Sequence, residues 1–219
     1  MAGLLLPAMA LAQLSELPVG TRVIGLRPEI YQQVLDLLFT PKEETPKLVA
    51  FTIRLRVSPF SRPDSQVNVT FLKDRTVKAE YVATDRSVAS ANTEFVPPTP
   101  EGLIDETRDY VEGDAESVAK RTPVKRYALN ASPALALKWQ QDLLRSLSPA
   151  FLALQPDLRR WLLGKHIMVS MTAVYDVWYS QFPMDFHVSF SPSPKATALG
   201  RWAEALHSEA ANMALQPSR

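Results

Sequence analysis

Two groups of alternating strands, separated by helical stretches, predict an α+β protein. The expected architecture is an antiparallel sheet of about five strands, in one piece or two groups, with helices packed on one face. Three observations carry this. Phe51, Ile53, Leu55 and Val57 alternate with Thr52, Arg54 and Arg56, the period of a half-buried strand. The same period returns far down the chain, where Tyr175, Val177 and Tyr179 alternate with Asp176 and Trp178. The segments before, between and after repeat apolar residues at helical spacing.

In chain order, Met1–Ala12 reads MAGLLLPAMALA. It is apolar, close to the length of a secretory h-region, and ends in the small-x-small pattern of a signal-peptidase site. No Lys or Arg precedes the run, which is the one feature of a secretory leader it lacks. Residues 13–219 are expected to form a single exported α+β domain, periplasmic or secreted. Pro28 suits the first position of a helix to about Leu38, with Ile30, Val34, Leu37 and Leu38 on one face. After the strand at Phe51–Val57, Val67, Val69 and Phe71 alternate with Gln66, Asn68 and Thr70. Lys73-Asp74-Arg75 makes a turn, and Val77, Ala79 and Tyr81 return, completing a three-stranded meander.

Residues 84–125 form an irregular acidic insertion, with short helices expected over 102–111 and 114–120. Its carboxylates are more widely spaced than those of a calcium loop, so a solvated helical face is the plainer reading. Ser132-Pro133 starts a helix to about Leu147 that buries Leu135, Trp139, Leu143 and Leu147. Asp157 can cap a short helix ending at Gly164. A long strand from Val169 to Tyr179 then turns at Ser180–Asp185 into Phe186, Val188 and Phe190. The last helix is expected to start at Ser193-Pro194, with Leu199, Trp202, Ala203, Leu206, Ala210 and Met213 on one stripe.

Composition narrows the function classes. Twenty-four basic residues balance 23 acidic ones, without the basic excess of a nucleic-acid binder. Seven glycines against 18 prolines disfavour glycine-lined phosphate loops. The absence of cysteine removes disulfides, thiolate metal sites and cysteine nucleophiles. Beyond Ala12 no apolar run approaches the length of a membrane span. No GxSxG, HExxH, GxGxxG or GxxxxGK[ST] pattern occurs. His166, His187 and His207 are too far apart in sequence for a local metal pair. No cofactor or metal is expected. Asn68-Val69-Thr70 and Asn130-Ala131-Ser132 match the glycosylation sequon.

Candidate binding residues come from strand alternation. Arg54 and Arg56 share the face opposite Phe51 and Ile53, where the plain reading is two solvated side chains and the functional one an anionic contact. Asp176, Trp178, His187 and Ser189 lie opposite Val177 and Val188. If the two strand groups join, the six residues share one wet surface with an aromatic anchor and cationic donors, a mixture that interfaces use. A Ser189–His187–Asp176 triad is disfavoured, because a nucleophilic serine sits on a sharp turn rather than mid-strand. The leading expectation is therefore a non-enzymatic binding or interaction module of the envelope or extracellular space, its partner an envelope protein. The alternative is a hydrolase with a non-local site on the polar sheet face.

Export makes a direct prediction. Protein purified from its native host should lack Met1–Ala12 and begin at Gln13, as read by intact-mass analysis; a mature chain that retains the apolar run refutes the leader.

Overall fold

In a computed structural model of the chain, the described residues are 22–41, 48–59, 62–96, 110–147, 173–182, 184–190 and 197–216. Among the described residues there are eight strands: β1 (Arg22–Ile24), β2 (Val49–Ser58), β3 (Ser65–Leu72), β4 (Val77–Thr84), β5 (Glu94–Val96), β6 (Val124–Ala128), β7 (Val174–Gln181) and β8 (Met184–Phe190). Five helices accompany them among the described residues: α1 (Pro28–Phe39), α2 (Val88–Ala91), α3 (Ala115–Arg121), α4 (Pro133–Ser146) and α5 (Ala198–Leu215). Six strands make one antiparallel sheet in the order β6-β4-β3-β2-β7-β8, and β1 pairs with β5 in a separate ribbon. The fold is α+β, and the two strand groups join where β2 pairs with β7.

The meander and hairpin form for local reasons. Asp74 accepts a hydrogen bond from the Thr76 backbone N–H at 2.9 Å, and Arg75 takes a positive φ of 70°, so the β3–β4 turn closes tightly. Gln181 pairs with Met184 across a two-residue turn, and the register then runs unbroken to Tyr175 opposite Phe190.

One face of the sheet carries the larger core. Phe51, Ile53, Leu55, Val67, Val69, Tyr175, Val177, Tyr179 and Val188 pack there beneath Trp139 and Leu143 of α4 and Leu199, Trp202 and Leu206 of α5. Polar tips of these helices and strands find partners across the packing. Trp202 Nε1 donates to the Trp139 carbonyl at 3.0 Å, Trp139 Nε1 to Glu209 at 2.8 Å, and Gln140 Nε2 to the Tyr179 hydroxyl at 2.7 Å. The Tyr175 hydroxyl donates to Glu204 of α5. Ser132 caps α4 through the Leu135 N–H with Pro133 at its first position, as the Ser-Pro pair predicts.

Several details depart from the sequence expectations. The cap of α5 is Thr197, whose hydroxyl accepts from the Gly200 N–H, so the helix starts after the Ser193-Pro194 pair. Burial on α4 centres on Ala136, Trp139, Gln140 and Leu143, while Leu135 and Leu147 are only partly covered. The strands β1, β5 and β6 are additional to the expected set. The expected helix at 114–120 is α3. Residues 101–109, the Asp157-capped helix, residues 169–172 and the leader segment lie outside the described residues.

The opposite sheet face carries a second, smaller cluster. Val34, Leu35, Leu38 and Phe39 of α1 pack with Val82 of β4, Val88 of α2, and Ala115 and Val118 of α3. Half of this face is therefore roofed by α1 and its companions. Among the described residues no helix is long and apolar enough to cross a membrane.

Val177 is 0% exposed at the centre of the larger core. Replacing it with Asp buries an unpaired carboxyl, so Val177→Asp should cost about 3 kcal/mol or more. Thermal denaturation checks this, and an unchanged midpoint would show that the strand's faces are assigned the wrong way round.

Candidate functional site

The register assembles all six candidate residues. Arg54 lies opposite Trp178 across β2 and β7, and Trp178 lies opposite His187 across β7 and β8. One rung along, Arg56 faces Asp176 and Asp176 faces Ser189. Side chains on successive residues alternate faces, so the two rungs, two residues apart on each strand, project together.

The residues are not equally available. Arg54, Trp178 and Ser189 are partly exposed and His187 is exposed, whereas Asp176 is buried and Arg56 is 3% exposed. Arg56 was expected to be solvated; its position beneath α1 removes it from water. The Trp178 and His187 rings stack with centroids 4.5 Å apart and planes 5° from parallel. His187 Nε2 lies 3.2 Å from Asp176 Oδ1, so the carboxylate orients the imidazole while the ring face stays on Trp178. The Arg56 guanidinium sits 5.0 Å from the Trp178 centroid and 5.7 Å from that of Phe39. A cation held over an indole face is attracted by the ring quadrupole.

Beneath α1 the polar residues of this face build a network that alternation alone did not reveal. Arg56 pairs with Asp36 of α1 at 2.9 Å, and its Nε donates to Gln66 Oε1 at 3.0 Å. Gln66 Nε2 donates to the Phe39 carbonyl at 2.9 Å and to Asn68 Oδ1 at 2.6 Å. Asn68 Nδ2 donates to Glu80 at 2.7 Å, and Glu80 also pairs with Arg126 at 3.2 Å. Arg126 Nη2 reaches the Leu38 carbonyl at 2.7 Å. Asn68 of the first sequon is thus buried and bonded, whereas Asn130 of the second is exposed.

Asp64 is the other residue missed. It is 0% exposed. It accepts the Tyr31 hydroxyl at 2.8 Å and the Val88 N–H at 2.6 Å. Burial pushes its carboxyl up to about 6, against the bonds from Val88 and Tyr31 that favour the charged form. Burial and the neighbouring Asp64 charge raise the Tyr31 hydroxyl as well. On the larger-core side, His207 Nε2 lies 2.8 Å from Ser65 Oγ, and burial lowers its basicity. No sequence signal separates Asp64, between Pro63 and Ser65, from an ordinary loop acid.

The triad geometry does not assemble. His187 uses Nε2 toward Asp176, and Ser189 stands on the same straight strand, opposite Asp176 rather than beside a turn. A cleft of about 150 Å³ lined by Asp85, Arg86, Asn92, Arg121 and Thr122 includes none of the six residues; ligand pockets usually begin at about 300 Å³. Among the described residues no group of three His, Asp or Glu side chains is placed to hold a metal ion. No protein-family model, curated protein or solved structure matches the chain.

The raised Asp64 value sets a pH dependence. The folded carboxyl holds its proton more tightly than the unfolded chain, whose ordinary value is 3.8. Between about pH 4 and pH 6 unfolding therefore releases a proton, and the stability given by protonated Asp64, complete below that window, is lost as pH rises through it. The melting temperature of the unaltered protein minus that of Asp64→Asn should fall from pH 4 to pH 6.5. A difference that rises with pH would mean the ionised form is the preferred one.

Proposed function

We propose that the chain is an exported, non-enzymatic binding module of the cell envelope or extracellular space, and that it holds a protein partner on the uncovered part of the polar sheet face. The observation that carries this is the stacked Trp178–His187 pair, partly exposed on β7 and β8. Arg56 lies against the indole and Arg54 is opposite it in register. A large aromatic costs least on a solvated strand when it is held rigid, and rigid aromatics beside arginine are the usual anchors of interfaces. Asp176 adds to the rigidity by holding His187. The Met1–Ala12 run supports the compartment. The hydrolase reading has the His187–Asp176 pair in its favour, and His187→Ala tests it.

Arg56 and Asp176 are structural supports, so the test uses the outer residues. Immobilised protein should retain a partner from an envelope fraction of the native host. Trp178→Ala and Arg54→Ala should each weaken that partner's retention about tenfold or more while keeping the melting temperature within a few degrees. Retention unchanged in both variants refutes the binding surface. A fluorogenic-ester activity abolished by His187→Ala would establish the hydrolase instead.

A further inference from the structure

The two edges of the six-stranded sheet differ in a way that points to a second copy of the chain. At one edge, β6 is five residues long and carries Lys125 and Arg126, and Arg126 is tied to Glu80 and to the Leu38 carbonyl. Short, cationic edges resist pairing with other strands. At the other edge, β8 is seven residues long, MDFHVSF, with no lysine, arginine or proline. Its register with β7 has no bulge. Beside it, Phe182 is 97% and Met184 49% exposed.

The turn fixes which backbone groups face outward. Gln181 and Met184 flank a two-residue turn and so exchange both hydrogen bonds. Bonded pairs then alternate, falling at Tyr179–Phe186 and Val177–Val188. The intervening residues Asp185, His187 and Ser189 direct their N–H and C=O groups away from β7. They face an edge on which no described strand pairs.

We propose that β8 pairs antiparallel with β8 of a second copy about a two-fold axis at Phe186, joining two six-stranded sheets into one. In this register Asp185 of each copy lies opposite His187 of the other, giving two complementary pairs on the polar face. Phe186 lies opposite Phe186, and Met184 opposite Val188, on the apolar face. Cross-strand aromatic and polar pairs each stabilise antiparallel pairing. An axis at His187 also matches the outward groups, but it sets His187 against itself and Asp185 against Ser189, losing both carboxylate–imidazole pairs. A closed two-fold contact also removes the open edge that an isolated copy would present to aggregation. The inference rests on the backbone of the edge and shares only His187 with the binding face proposed above, and Trp178→Ala, which removes the anchor of that face but leaves the edge, separates the two.

Sedimentation of the full chain tests it together with cysteine cross-linking, which the cysteine-free sequence makes clean. The unaltered protein should sediment with the mass of two chains. Asp185→Pro removes an outward N–H and a charge without touching the β7–β8 ladder, so it should dissociate the dimer at least tenfold more readily with the melt of its monomer intact. Phe186→Cys should form an intermolecular disulfide under mild oxidation, because the two positions meet on the axis, and Met184→Cys should not. Trp178→Ala should leave the dimer in place. A chain that stays monomeric at all accessible concentrations overturns the proposal. So does a dimer indifferent to Asp185→Pro, or one in which Phe186→Cys fails to cross-link.

Discussion

Taking the Arg56 guanidinium out of water costs several kcal/mol unless neighbouring groups replace its hydration. Arg56 is 3% exposed beneath α1, so solvent cannot supply the replacement. Asp36 and Gln66 supply it as bonded partners, and the rings of Phe39 and Trp178 supply it as faces. Two of these four residues belong to α1 and two to the sheet. These contacts engage Nε and Nη2 and leave Nη1 without a hydrogen-bond partner among the described residues, and they tie the position of α1 across the strands to the way Trp178 is held.

The end of α1 shows the same dependence from the helix's side. A helix leaves its last carbonyls without internal partners, and the last turn of α1 contains no basic residue. The sheet provides the donors: Arg126 of β6 bonds the Leu38 carbonyl and Gln66 of β3 bonds the Phe39 carbonyl. The polar face is thus divided. Over β3, β4 and β6, Gln66, Asn68, Glu80 and Arg126 are tied into the network that seats α1. Over β7 and β8, Trp178, His187 and Ser189 remain at least partly exposed above the buried Asp176, and Trp178 marks the border, with buried Arg56 on one side and exposed His187 on the other.

The larger core was legible because its signal is local. Val177 and Tyr179 announce a buried face through their own alternation with Asp176 and Trp178, and Trp202 and Leu206 announce theirs through helical spacing; each survives in the structure. The weaker elements had no such signal. Strand β6 reads Val-Lys-Arg-Tyr-Ala, two adjacent cations that break the period-two pattern, and its pairing depends on β4 lying alongside. Strands β1 and β5 are three residues each, too short for any period. The position of α5 shifted to Thr197 because any hydroxyl that reaches the third N–H can cap, and Ser191, Ser193 and Thr197 all precede the helix in the sequence.

The sequence alone determined the fold class, the meander, the hairpin and the face to which each candidate side chain belongs, because strand periodicity dictates sidedness from φ and ψ without reference to partners. It also determined that the candidate residues would share a surface if the strand groups met. Only the tertiary structure decided that they do meet, through the β2–β7 pairing of segments far apart in the chain. Only the tertiary structure divided that surface into buried and accessible parts. Alternation distinguishes two faces of a strand, but whether a face meets water depends on what else packs there. For Arg54 and Arg56, identical in type and two residues apart, that difference lies in the reach of one helix.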